Sequence, residues 1–231
     1  MSIDIAHLAL RLEGPLQAWG YGSQFSRRNT GMFPTKSGIL GMCCAAMAIP
    51  RGSERERTML ARMRELRLLA VAVPRDNYRR RENETSLQVR RLTDYHTVQD
   101  TMKADGSKNK NTHLTWRQYL CDAFFVAVLS GNRTLVEDVG AALRNPAWGI
   151  WLGRKACIPT APVWAGVYIS EDAALRALLG QQPLSFFSFQ REVERFEKGT
   201  DTFADQPICF GGANAIRAFA PRRIILVEGK R

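Results

Sequence analysis

Three groups of residues in this 231-residue chain carry reactive or ligand-binding potential. The first is "FPTKSG", Phe33 to Gly38. A nucleotide-triphosphate loop needs G-x-x-x-x-G-K-[ST]. Here Gly31 stands one residue too close to Lys36 and Thr35 replaces the second glycine, so that reading fails. What remains is a helix start, with Pro34 fixing the approach, Thr35 as cap, and Lys36, Ser37 and Gly38 as an open cationic first turn. Free N–H groups and the helix dipole make such a turn an anion site. The expected anion is a phosphodiester, because Arg27 and Arg28 precede the turn with no acid nearby. The alternative is a helix packed into the sheet through its small residues Gly38, Gly41, Ala45 and Ala46.

The second group sets cations beside aromatic rings: Tyr78 with Arg79, Arg80 and Arg81; Arg90 and Arg91 before Tyr95 and His96; Trp116 with Arg117. Arginine and lysine hold phosphates while flat rings cover unstacked bases, so the pairing suits single-stranded RNA. Lys108, and Arg154 with Lys155 in "LGRKACIPT", extend this set of expected RNA contacts. The third is His96 itself, which with Tyr95 and a nearby cation would serve as a general base on a ribose 2′-OH, the metal-independent way to cut RNA. No acid partner is identifiable, so the expected role of His96 is RNA contact and no catalytic residue is assigned. His96, His113 and Cys121 lack zinc-ligand spacing. No GxSxG elbow, HExxH pair or carboxylate dyad is present, and neither metal nor cofactor is expected.

Charge placement supports a polyanionic partner. Residues 14–53 carry +4 without an acid, residues 75–117 carry ten bases against six acids, and residues 139–170 carry +3 without an acid, which together make the whole net charge of +11. Segregation of this kind marks a polyanion-facing surface. The standard RNA-recognition signature is absent, so stacking on sheet aromatics has no motif support.

The elements that position these residues follow from periodicity. Ile3 to Leu12 alternates as a strand and stops at Gly14-Pro15. Helices are expected from Thr35 to about Ala48 and from Ser53 to about Leu66, then a strand from Leu66 to Pro74. Residues 75–115 are polar and charged, and their flanks pair as a long inserted arm. Tyr119 to Gly131 reads as a strand, Arg133 to Pro146 as a helix and "WGIWLG" as a short strand. This order is α+β, a ferredoxin-like or RNA-recognition-motif-like βαββαβ domain over residues 1–158 with helices on one face. Residues 159–231 are expected to form a small β-rich C-terminal subdomain. No run of eighteen apolar residues and no basic leader is present, and the five cysteines form no CxxC pair. The expectation is a cytoplasmic protein with no membrane contact.

"LRLEGPLQAWG", "NTGMFPTKSGILGM", "LTDYHTV", "TWRQYLCDAFF" and "WGIWLGRKACIPTAPVW" together resemble the CasD-type subunits of Cascade, the type I-E CRISPR surveillance complex, within the RAMP superfamily. The blocks fall in order over about two thirds of the chain, and the C-terminal third matches less clearly. The resemblance implies a thumb-like arm, a place capping the 5′ handle of CRISPR RNA, contacts with the neighbouring backbone and large subunits of the ribonucleoprotein and, indirectly, with target DNA, all in antiviral defence. In related subtypes such a subunit is itself the processing nuclease. Two functions therefore stand: a non-catalytic RNA-binding subunit, and a metal-independent endoribonuclease.

Overall fold

The computed structural model describes residues 4–23, 26–74, 89–102, 106–109, 111–212 and 216–229. The chain runs β1 (Ile5–Glu13), β2 (Leu16–Gln17), β3 (Arg27–Arg28), α1 (Lys36–Ala46), α2 (Glu54–Met63), β4 (Arg67–Ala72), β5 (Arg90–Val98), β6 (His113–Cys121) and β7 (Phe124–Asn132). It continues with α3 (Arg133–Arg144), β8 (Trp164–Tyr168), α4 (Glu171–Leu179), β9 (Ser188–Glu192), β10 (Asp201–Cys209) and β11 (Ala218–Val227). Side chains capping the four helices are Thr35, Ser53, Asn132 and Ser170, each accepting from an N–H in the first turn.

Seven strands form one sheet in the order β10-β11-β9-β4-β7-β1-β8. Its β4-β7-β1-β8 part, with α1 and α2 crossing from β1 to β4 and α3 crossing from β7 to β8, is the ferredoxin-like βαββαβ arrangement. The fourth strand is Trp164–Tyr168, not "WGIWLG". Gly153 has φ +100 and the Leu152 N–H donates to the Cys157 carbonyl, so residues 149–157 curl into a turn where a strand would need extended backbone. The stretch Tyr119 to Gly131 is likewise two strands. Asp122 adopts φ +49 and donates its N–H to the Pro15 carbonyl, sending β6 and β7 into different sheets. The strands after Pro159 do not close a sheet of their own: β8 adds to one edge of the main sheet, and β9, β11 and β10 extend it beyond β4.

Both faces of the sheet are covered. Leu8, Leu10 and Leu12 of β1 pack with Ile39, Leu40, Leu60, Val136 and Val139 from α1, α2 and α3. On the opposite face Ala9, Val71, Val126 and Val128 pack against Ala174 and Leu175 of α4. The helices of the βαββαβ part lie on one face, as expected, and α4 from the C-terminal third covers the other. The unbroken apolar runs in β4 and β7 are the mark of strands buried on two sides. The consequence is functional, because the face on which an RNA-recognition sheet stacks bases is closed by α4.

His7 lies on this α4-covered face, its Nδ1 2.8 Å from Ser130 Oγ. Partial burial lowers its pKa from the ordinary 6.5, Glu171 opposing and Arg67 assisting. The unfolded chain therefore binds more protons between the lowered folded value and about pH 6.5. Stability is full above that window and falls as pH drops through it. Urea midpoints measured from pH 7.5 to 5 should fall more steeply in the wild type than in His7→Gln; parallel curves would refute the assignment.

Candidate nucleic-acid interface

A second sheet stands apart from the first. The hairpin of β5 and β6 pairs along its whole length, Arg90 opposite Cys121 and Val98 opposite His113. The other edge of β6 takes β2 in antiparallel and β3 in parallel pairing. The hairpin overlaps the C-terminal part of the expected arm, residues 75–88 of which lie outside the described residues, and its base is fixed by Gln17. The buried Gln17 amide donates to the Leu12 and Ala123 carbonyls and accepts from the Trp19 indole N–H, tying β1, β2 and the β6–β7 turn together. Nothing local in the sequence marked Gln17 for this.

Register then decides which side chains meet. Tyr95 lies opposite Trp116, and Trp116 opposite Arg27, so these three form one row across β5, β6 and β3. The Tyr95 and Trp116 rings are 5.6 Å apart at 64°, and the Arg27 guanidinium carbon lies 5.9 Å from the Trp116 ring centre. Tyr95 is 57% and Trp116 38% exposed, an unusual amount for two large rings already in contact. The next row, Asp94, Arg117 and Arg28, points to the opposite face because strand side chains alternate. Arg28 is exposed, while half-buried Arg117 donates from Nε to Thr115 Oγ1 at 3.1 Å. One face thus sets two rings beside a guanidinium, the combination that suits single-stranded RNA, while the other carries Arg28 and Arg117 beside Asp94.

The same alternation places Tyr95 and His96 on opposite faces, apart from the arrangement the nuclease alternative needs. His96 shares its face with Asp94, whose carboxylate is 3.6 Å from Nδ1, too long for a hydrogen bond. His113 and Cys121 sit at opposite ends of β6, about 27 Å apart at the usual strand rise, so no zinc site forms with His96. Arg91 donates to the Met32 sulfur at 2.8 Å, Arg90 and Lys155 are exposed, and Lys108 is exposed where it bridges Met102 near the hairpin tip. Arg79, Arg80 and Arg81 lie outside the described residues.

Arg154 has a different task from the one expected of it. It donates to the Gln118 carbonyl at 2.8 Å and the Arg28 carbonyl at 2.9 Å, and its guanidinium lies 4.6 Å from the Tyr119 ring centre. It is a positioning residue that clamps β3 and β6 to the loop before β8. Arg154→Ala should cost about 1–2 kcal/mol in urea unfolding, and Arg154→Lys should not restore it, because an ammonium lacks the planar fork that spans two carbonyls. Full recovery by lysine would refute the clamp.

The largest correction concerns Thr35, Lys36 and Ser37. Lys36 is completely buried. Its Nζ donates to Glu192 Oε1 at 2.8 Å, the Arg64 carbonyl at 2.8 Å and Gln206 Oε1 at 3.0 Å. The anion at this helix start is Asp205, whose Oδ2 accepts from the Lys36 N–H at 2.8 Å while both its oxygens accept from Arg222. Burial pulls the Lys36 pKa down and the Glu192 carboxylate opposes the fall. Thr35 is buried as the cap, and half-buried Ser37 donates to Thr35 Oγ1. The helix start serves packing and offers nothing to RNA. Its partners left a trace in the sequence, since Asp205 and Arg222 are charges inside otherwise strand-like segments.

Comparison with known proteins agrees with this architecture. The profile of the family described as CRISPR-associated protein (Cas_Cas5) matches residues 7–224. The CRISPR system Cascade subunit CasD of Escherichia coli strain K12 is 31% identical over 228 residues, covering 97% of this chain and 96% of that one. Among solved structures, a chain of a CRISPR RNA-guided surveillance complex superposes with a TM-score of 0.72 at 25% identity, covering 96% of this chain and 90% of its own. A Cas protein crystal structure superposes with a TM-score of 0.62 at 27% identity, covering 96% and 95%. By profile, sequence and architecture, the chain belongs to the Cas5 family of CRISPR-associated proteins.

Proposed function

We propose that this chain is a non-catalytic RNA-binding subunit of a CRISPR surveillance complex, capping the 5′ handle of the CRISPR RNA and contacting adjacent backbone and large subunits. The observation that carries the reading is the exposed row Tyr95, Trp116 and Arg27, backed on the other face by Arg28 and Arg117. It is supported by the similarity to a Cascade subunit and to a chain of an RNA-guided complex. With the main sheet closed by α4, this second sheet offers open rings set beside cations. Among the described residues no helix is long and apolar enough to cross a membrane, and the proposed site of action is the cytoplasm.

The endoribonuclease reading rests on half-buried His96, which lacks the Tyr95 partner it would need. Incubating the chain with CRISPR repeat RNA in chelator should leave the RNA intact. Cleavage abolished by His96→Ala would establish the enzyme instead. Log affinity for the RNA should fall with log salt by about 0.7 per phosphate neutralised. A flat salt response would remove the electrostatic part of the proposal.

A further inference from the structure

We infer that the loop between α3 and β8 is a second nucleobase-binding surface, on which Trp148 and Trp151 receive unpaired bases of the same RNA strand that crosses β3. The inference rests on the reading that this chain binds single-stranded RNA. Trp148 is 47% and Trp151 37% exposed, two indoles left open within four residues although the protein has ample core to take them. Residues 139–170 contain no acid, and Lys155, four residues after Trp151, is exposed.

The loop is built, not slack. The Ala147 N–H donates to the Ala46 carbonyl and the Ala18 N–H to the Leu152 carbonyl, while Leu152 and Cys157 are fully buried. Gly153 lies so close to β2's neighbour Ala18 that a Cβ would come 1.8 Å from the Ala18 carbonyl oxygen. The Trp151 ring occupies the space where a side chain on Gly149 would begin, 2.7 Å from that Cβ position. A ring held this way loses little freedom when a base stacks on it, which is what preorganised recognition requires.

Continuity selects the occupant. Arg154, within the 149–157 turn, donates to the Arg28 carbonyl, so this loop is joined directly to the strand bearing Arg27 and Arg28. Exposed indoles beside cations, with no acid between, match a nucleic-acid strand: phosphate to the cations, base to the ring. A protein partner is the other possible occupant of exposed apolar rings.

The test measures affinity for single-stranded CRISPR repeat RNA by fluorescence anisotropy in four proteins: wild type, Trp116→Ala, Gly149→Ala, and Trp148→Ala with Trp151→Ala. The double variant should bind about tenfold or more weakly, with folding checked by circular dichroism. Phenylalanine at both positions should recover most of the loss, and Gly149→Ala, which displaces the Trp151 ring without removing it, should give an intermediate value. If Trp116→Ala weakens binding and the double variant does not, this inference is overturned and the proposed function stands. Loss of the double variant from the reconstituted complex with RNA affinity intact makes the loop a protein dock, which also overturns it. Failure of the wild-type chain to bind RNA at all overturns both.

Discussion

Lys36→Ala should destabilise the protein by about 3–5 kcal/mol, the cost of removing one partner from a buried ion pair. The Lys36 ammonium has three acceptors and no contact with solvent, so its loss leaves the Glu192 carboxylate in the interior with the Leu68 N–H at 3.1 Å and Arg222 at 3.8 Å. Lys36→Glu should be worse, because it sets a third carboxylate beside Glu192 and Asp205. Urea unfolding measures the loss. The double variant Lys36→Met with Glu192→Met should recover part of it, since apolar side chains in place of a buried pair are often tolerated. RNA affinity of the folded fraction should not change. A Lys36→Ala protein as stable as the wild type but weak for RNA would return this helix start to the interface.

Trp116→Ala should weaken single-stranded RNA binding by about 1–3 kcal/mol, which is the usual cost of removing a base-stacking ring. Its neighbours define how the loss should look. Trp116 is the centre of the row, touched by Tyr95 on one side and Arg27 on the other, so its removal also leaves those two without a shared surface. Trp116→Phe should retain most of the affinity. Arg27→Ala should weaken binding too, but with a different signature: the salt slope should fall by about 0.7, as expected when one phosphate contact is lost, whereas Trp116→Ala should leave the slope unchanged. Titrations at three salt concentrations separate the two. Equal slopes in all three proteins would mean that Arg27 does not touch phosphate.

Much of this arrangement is legible from local pattern. The alternation before Gly14, the cap at Thr35, the helix start at Ser53, and the paired flanks of the arm all reappear, because each depends on residues a few positions apart. The aromatic and basic composition of "DYHTV" and "TWRQY" was visible, and only register could say that Tyr95 meets Trp116 while His96 turns away. The burial of Lys36 was not legible. Its partners Glu192, Asp205 and Gln206 lie more than 150 positions further on, and nothing around "PTKSG" distinguishes a lysine awaiting phosphate from one awaiting carboxylate. The fourth strand was misplaced for a related reason. "WGIWLG" is as apolar as a strand, and only the φ of Gly153 and the clamp from Arg154 make it a turn. The face that α4 covers follows from packing alone, through Ala174 and Leu175.

The central claim is that RNA lies across the second sheet, with bases on the Tyr95, Trp116 and Arg27 face. Ultraviolet cross-linking of single-stranded CRISPR repeat RNA to the full chain, with the linked residues identified by mass spectrometry, tests it most directly. The account predicts cross-links in β5 and β6, led by Tyr95 and Trp116, together with β3. Cross-links confined to α4 or to β9, β10 and β11, with Tyr95 and Trp116 unmodified, would contradict it.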